Sequence, residues 1–400
     1  MALGAGAAAL VLAGRLLGMV ELFLLGVSAG ALLALSVVVV ARSRLRLEVA
    51  RRVHPARVHA GADSRVDVTV ANRGARRTPV LRLRDRVSRT RGADVLVGPI
   101  EPAREAVAAY RLPTARRGVL TIGPLTVVVT DPFGLAAVST TAAEPTQVTV
   151  YPRVDEVAPL TRTSGDDPRT GTDRASALGR SGEEFSTVRP YAVGDDLRRV
   201  HWRSTARHDE LMVRHHELPR QGRATVLLDT RAATHTADSF ETAVSAAASV
   251  VVASWRNGDQ VRLLTTGGFD AGFAGGATQL SAILEHLAVV EPSHAPRGQL
   301  TSIVDQLGRG RGGAVAAIAT DAAAEDLGVL ARLRRSFGLA VIALIERSDA
   351  GAEASRPAAD PSVVRVTADR PFPDAWNRAV AAASSSRAIE RRVPVVATGH

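Results

Sequence analysis

The chain has 400 residues, enough for two or three domains with cores of their own. It contains no Cys, which excludes a disulfide framework and any thiolate metal site. The net charge is +10, but all 50 basic residues are Arg; with abundant Ala, Val and Gly this reads as GC-rich coding, and the charge is weak evidence for nucleic-acid binding.

The charge is also localised. Ala41–Leu120 holds 19 Arg against 7 acidic residues, a net of +12, whereas Ala224–His400 holds 17 Arg against 18 acidic residues. The excess directly follows an apolar N-terminus. Leu22–Ala41 is 20 residues without a charge, about 30 Å of helix at 1.5 Å per residue and so the thickness of a bilayer's hydrocarbon core. Arg42, Arg44, Arg46, Arg51 and Arg52 follow, which by the positive-inside rule places the remaining chain in the cytoplasm. Met1–Gly14 is uncharged too, and Gly14–Glu21 is expected to turn between two helices. The segment 1–41 is therefore predicted to be a transmembrane hairpin, giving a multi-pass protein of the cell membrane. The basic stretch suits anionic lipid headgroups; no nucleic-acid motif accompanies it.

Residues 42–155 alternate apolar and polar positions in short runs. Arg65–Asn72, Pro79–Val87, Ala106–Pro113, Gly118–Asp131 and Thr146–Pro152 are the clearest, with Gly, Pro and Asn between them. This pattern predicts an antiparallel, Ig-like β-sandwich without a catalytic constellation. Residues 156–184 are rich in Ser, Thr, Gly and Asp and read as a flexible linker.

Residues 185–223 pack Arg, Asp, His, Tyr and Trp more densely than their surroundings. Arg189-Pro190-Tyr191 is expected to be extended, because a residue before Pro avoids the helical region. Gly194-Asp195-Asp196 is a turn suited to capping a short helix. Leu197, Val200 and Trp202 would form its apolar side, and Arg198, Arg199, Arg203 and Arg207 its basic side. Three readings compete: a metal-dependent hydrolase or nuclease using His201, His208, His215 or His216 with Asp195 or Asp209; an anion site; and a structural clasp of Arg–Asp pairs and Trp202. The clasp is favoured, since Pro190, Gly194 and a strand-like tail prevent one helix from aligning the histidines.

The order Arg189, Tyr191, Gly194, Asp195, Asp196, Arg199, Trp202, Ala206 and Arg207 resembles the DUF58 family. Arg116–Leu135 and Val148–Arg153 look like that family's lead-in, and the N-terminal apolar hairpin matches its common layout. Members are commonly encoded beside MoxR-type AAA+ ATPases and transglutaminase-like membrane proteins, so the resemblance implies a partner more than a reaction.

From Ala224 to residue 390, strands and helices alternate, which predicts a doubly wound α/β domain; a short tail, 391–400, follows. Ala224–Thr230, Val261–Thr266, Ala314–Asp321, Leu339–Ile345 and Val363–Thr367 read as strands, with a helix at Ala237–Arg256 and others near 278–290, 300–307, 323–336 and from Pro373. Ligands of such sheets sit beyond the carboxyl ends of the strands, where Asp229 and Asp321 fall. The arrangement resembles a von Willebrand factor A domain, which holds Mg²⁺ on an Asp-x-Ser-x-Ser loop. Here the loop is Asp229-Thr230-Arg231-Ala232-Ala233. Arg231 brings positive charge and Ala233 no oxygen, whereas hard cations need several oxygen ligands. The expectation is a degenerate, unoccupied metal site with Arg231 paired to Asp229 or Asp321, no cofactor, and a membrane-anchored adaptor rather than an enzyme.

Overall fold

The structure is a computed structural model that describes residues 2–42, 45–55, 57–160, 186–191, 200, 202–208, 210–216, 222–296, 298–310, 312–320, 324–347 and 362–390. The chain divides into two compact units, one of Met1–Arg153 with Glu285–Val289 and the other of Val154–Leu284 with Val290–His400.

The first unit opens with two helices, α1 (Ala2–Leu17) and α2 (Val20–Arg42). They run antiparallel around a two-residue turn at Gly18, whose φ of +65° suits glycine. The turn falls within the expected Gly14–Glu21 and is shorter than that span, because Arg15 still belongs to the last turn of α1 and Val20 already opens α2. Small residues let the two backbones approach: a Cβ on Gly14 would stand 2.4 Å from the Phe23 nitrogen. Among the described residues, α2 is the one helix long and apolar enough to cross a membrane.

A β-sandwich follows. Its strands are β1 (Leu47–His54), β2 (Val58–His59), β3 (Arg65–Asn72), β4 (Leu81–Val87), β5 (Ala93–Val97), β6 (Glu105–Arg111), β7 (Gly118–Thr130), β8 (Ala137–Ala143) and β9 (Thr146–Tyr151). One sheet has the order β1-β3-β6; the other runs β2-β9-β7-β4-β5, with β8 also paired to β7. Period-two patterning sets the faces. On β4, Leu81, Leu83 and Val87 are buried while Arg82, Arg84 and Arg86 are exposed. Val66, Val68, Val70, Leu120, Ile122, Leu125 and Val127 complete the core.

One inward position on β4 breaks the apolar rule: Asp85 is buried. Its carboxylate accepts from Arg51 Nη1 of β1 at 3.0 and 3.2 Å and from the Tyr110 hydroxyl of β6 at 2.7 Å. Arg51 and Tyr110 belong to one sheet and Asp85 to the other, so the three side chains tie the sandwich together. Burial and the Asp85 hydrogen bond push the Tyr110 phenol far above its ordinary value.

The second unit begins where a flexible linker was expected. Val157 and Leu160 are buried, the Trp376 indole N–H donates to the Ala158 carbonyl at 2.9 Å, and Ala158 N–H donates to Asn377 at 2.7 Å. Residues 156–160 are thus fixed, because their apolar side chains and backbone find partners. The rest of the predicted linker lies outside the described residues.

A two-stranded antiparallel ribbon joins β10 (Ser186–Pro190) to β11 (Met212–His216), with α3 (Trp202–His208) between them in sequence. A parallel sheet follows, in the order β13-β12-β14-β15-β16. Its strands are β12 (Arg223–Leu228), β13 (Gln260–Thr265), β14 (Ala314–Thr320), β15 (Leu339–Ile345) and β16 (Val363–Val366). Beyond β13, residues 269–274 return antiparallel along the edge, with Ala271 N–H to Leu263 O at 3.0 Å and Thr265 N–H to Phe269 O at 2.9 Å. The helices are α4 (Ala237–Arg256), α5 (Gly276–Val289), α6 (Gln299–Arg309), α7 (Ala324–Ala331) and α8 (Phe372–Glu390). Thr236 and Ser239 form a reciprocal capping box that starts α4. Leu300, Ile303 and Leu307 of α6 and Leu330 of α7 pack on Leu227, Val315, Ala317 and Ile342 of the sheet. The α4 helix packs across β12, β13 and β14.

Candidate functional site

In an open parallel sheet the crevice for ligands forms at the carboxyl ends of strands whose connections leave in opposite directions. Here β12 is an interior strand, flanked by β13 and β14, and Asp229 follows its last residue directly. From Ala224 to Leu228 the strand is buried on both faces, and its end delivers Asp229 into the protein with 1% of its surface exposed.

A buried carboxylate must be neutralised or fully hydrogen-bonded. Asp229 is both. Arg231 Nε donates to Oδ1 at 2.9 Å and Nη2 to Oδ2 at 2.7 Å, a bidentate pair. The Arg231 backbone N–H reaches Oδ1 at 3.1 Å, the Thr266 hydroxyl reaches Oδ1 at 3.0 Å, and the Thr234 hydroxyl reaches Oδ2 at 3.2 Å. On its other edge the same guanidinium donates to Asp326 Oδ2 at 2.6 Å and Oδ1 at 3.4 Å. Asp326 sits in the first turn of α7, where negative charge is favoured by the helix dipole.

Hydroxyls complete the cluster. Thr230 Oγ1 lies 3.0 Å from Ser293 Oγ and 3.2 Å from Thr266 Oγ1. Thr320, at the end of β14, donates to the Thr234 carbonyl at 2.8 Å. His235 Nε2 stands 2.9 Å from the Asp229 carbonyl oxygen, with its ring edge-on to Phe240.

The electrostatics follow from burial and pairing. Burial raises the Asp229 carboxyl, but the hydrogen bonds and charge of Arg231 outweigh it and hold the group below the usual carboxylate range. Arg231 is raised above its ordinary value, first by its hydrogen bonds to Asp229. Burial depresses His235 below its ordinary value; because a carbonyl oxygen can only accept, Nε2–H is the donor to the Asp229 carbonyl.

A divalent cation does not fit this residue set. Both Asp229 oxygens are engaged, the guanidinium stands between the two carboxylates, and Ala233 offers no oxygen. The expected pairing of Arg231 with Asp229 is present. The second partner is Asp326; Asp321 lies outside the described residues. Asp326 has no signal in the sequence beyond the acidic pair Glu325-Asp326 near a helix start, and only the fold brings it to Arg231.

In the signature segment, Arg189 and Pro190 lie in β10, with Arg189 opposite Val213. Tyr191 N–H donates to the Leu211 carbonyl at 2.7 Å and Met212 N–H to Thr205 Oγ1 at 3.0 Å, closing the ribbon onto α3. Gly194, Asp195, Asp196, Arg199 and His201 lie outside the described residues, as does Asp209. The packing expected of Trp202 is corrected. It opens α3 and is 71% exposed, with Arg203 and Arg207 exposed beside it, whereas Val200 is buried. Trp202 is therefore not the apolar side of a buried clasp. The α3 helix ends at His208 and His215 is on β11, so no single helix carries the three histidines. No group of three His, Asp or Glu able to hold a metal occurs among the described residues.

No curated protein matches the chain. The CARDB domain of a Pyrococcus furiosus protein, solved with two metal ions, is 18% identical over 27% of this chain and 94% of that one, with a TM-score of 0.22. The Pseudomonas fluorescens alkylpurine DNA glycosylase AlkC is 10% identical over 32% of this chain and 39% of that one, with a TM-score of 0.19. Likenesses this low bear on neither fold nor function. The ribbon, α3 and most of the parallel sheet lie within residues 187–351, and it is this segment that matches the family described as "Protein of unknown function DUF58".

Proposed function

We propose that the protein is a membrane-anchored adaptor, held by its apolar hairpin with both larger units in the cytoplasm, and that its α/β domain is a degenerate von Willebrand factor A-like module. The observation that carries this reading is the closure of the strand-end crevice by Arg231. The place where such a sheet takes a metal or small ligand is filled by the protein's own ion pairs. The antiparallel segment at the β13 edge supports the A-domain comparison, because it extends the order to six strands with one antiparallel edge. What remains for binding is surface. Trp202 with Arg203 and Arg207 joins an exposed aromatic to two exposed guanidinium groups, residue types enriched at the energetic centres of protein interfaces.

The proposed partner is a MoxR-type AAA+ ATPase, with a transglutaminase-like membrane protein as a further component; the DUF58 resemblance supports both. The anionic membrane surface faces the Arg-rich sandwich. The test is affinity capture of the full-length protein from detergent-solubilised native membranes, with mass spectrometry of what co-purifies. Wild type is expected to recover a MoxR-type ATPase and Trp202→Ala to lose it. Recovery of no such ATPase by wild type contradicts the proposal.

A further inference from the structure

Hairpin tips at the end of a sandwich normally face water and are polar. The β7–β8 turn is different. Between Asp131 and Val138 the sequence is DPFGLAAV, with one charged residue. That residue points inward: Asp131 is 5% exposed, and its carboxylate accepts from the backbone N–H of Phe133 at 2.9 Å and of Ala136 at 2.6 Å. Gly134, at φ +72°, lets the chain reverse. The Phe133 ring is left 63% exposed at the tip.

The surroundings say what covers that ring. The α2 helix packs against β8, its Ser36 and Val40 are buried, and Ser36 lies beside Asp131. The turn is therefore level with the last two turns of α2. Ser36 is about 9 Å short of Arg42 along the helix at 1.5 Å per residue. With Arg42 among the headgroups, that depth is the boundary between headgroups and acyl chains.

The tether agrees. Only residues 43–46 separate α2 from β1, so the sandwich cannot move far from the helix end. Strand register puts the start of β1, the start of β4 and the β7–β8 turn at one end of the sandwich, with Asp63 and Arg111 at the other. Arginines occur at both ends, so tether and turn, rather than charge, set the orientation.

We infer that the β7–β8 turn places Phe133 in the interfacial layer of the bilayer that α2 crosses. The sandwich is thereby held with this end against the membrane. The inference rests on the membrane reading above, and its test separates the two.

The chain has no Cys, so single-cysteine variants carry one label each. Full-length Phe133→Cys, Pro132→Cys, Leu35→Cys and Asp63→Cys are labelled with the environment-sensitive fluorophore NBD. They are reconstituted into phosphatidylcholine–phosphatidylglycerol vesicles containing lipid with a nitroxide near the headgroup end of the acyl chain. Pro132→Cys keeps the Phe133 ring and guards against damage by the first substitution. Blue-shifted emission and quenching are expected at positions 132, 133 and 35, with neither at 63. Quenching at 35, with positions 132 and 133 no more quenched than 63, overturns the inference and leaves the membrane reading standing. A blue shift without quenching at 132 and 133 overturns it too, and identifies a protein surface as the cover. An unquenched label at 35 overturns both.

Discussion

Arg231 meets Asp229 through two parallel hydrogen bonds, Nε to Oδ1 at 2.9 Å and Nη2 to Oδ2 at 2.7 Å, at the carboxyl end of the interior strand β12. Both side chains are buried, and Asp326 takes the opposite edge of the guanidinium. The arginine thus provides the positive charge that two converging carboxylates require, from within the chain.

Removing that charge is expected to be costly. Arg231→Ala leaves Asp229 buried and unpaired, which typically destabilises by about 3–5 kcal/mol. Trp202, Trp255 and Trp376 all lie beyond Val154, so tryptophan fluorescence in urea titrations of the full chain in detergent reports the α/β unit alone. A loss below about 1 kcal/mol, the scale of an exposed ion pair, contradicts the account.

The pH dependence has a definite sign. Burial places His235 below its ordinary 6.5, and Asp229 lies below its ordinary 3.8 because Arg231 outweighs burial. In both cases the unfolded chain binds more protons between the two values, so stability rises with pH across each interval. Full stability is expected above pH 6.5, a first loss as pH falls below it, and a second below pH 3.8. Thermal melts followed by tryptophan fluorescence check this. Asp229→Asn should shrink the lower step, leaving the part due to Asp270, whose carboxyl Arg262 also holds below its ordinary value; stability that increases on acidification from about pH 7 to about pH 5 sinks the assignment.

In the sandwich, Tyr110→Phe removes the hydroxyl that donates to Asp85 at 2.7 Å. A hydrogen bond to a charged group contributes about 1.5–3 kcal/mol. Because Asp85 and Tyr110 belong to different sheets, the substitution should raise amide hydrogen exchange in β4 and β6 together. Unchanged exchange in either strand contradicts the role of Asp85 as an inter-sheet tie.

Much of the α/β unit was legible in the sequence. The Ala237–Arg256 helix and the Leu339–Ile345 strand fall at the predicted residues, because uninterrupted apolar runs and a clear cap leave little choice. Strands β1 and β8 were not legible. Arg51 occupies an inward position of β1, and β8 is small and polar, so neither shows apolar alternation. The Arg51–Asp85–Tyr110 tie joins residues far apart in sequence and has no local signature. At the strand-end cluster, Asp229 and Arg231 could be read from two adjacent anomalies in one loop, whereas Asp326, Thr266 and Ser293 are brought there only by the fold. Trp202 misled, since a tryptophan in a short amphipathic segment normally packs inward.

Trp202→Ala should leave the α/β unit's stability within about 0.5 kcal/mol, as for other surface substitutions, while removing partner capture. A large loss of stability in the urea titration would instead assign Trp202 a packing role.

The most direct test of the closed crevice is a magnesium titration followed by thermal unfolding of the α/β unit. In wild type the guanidinium excludes the cation, and the melting temperature is predicted to stay constant as Mg²⁺ is added. In the double variant Arg231→Ser, Ala233→Ser the charge is gone and two oxygens stand beside Asp229, so the melting temperature should rise with Mg²⁺ as binding stabilises the folded state. A rise in wild type equal to that of the double variant would contradict the account.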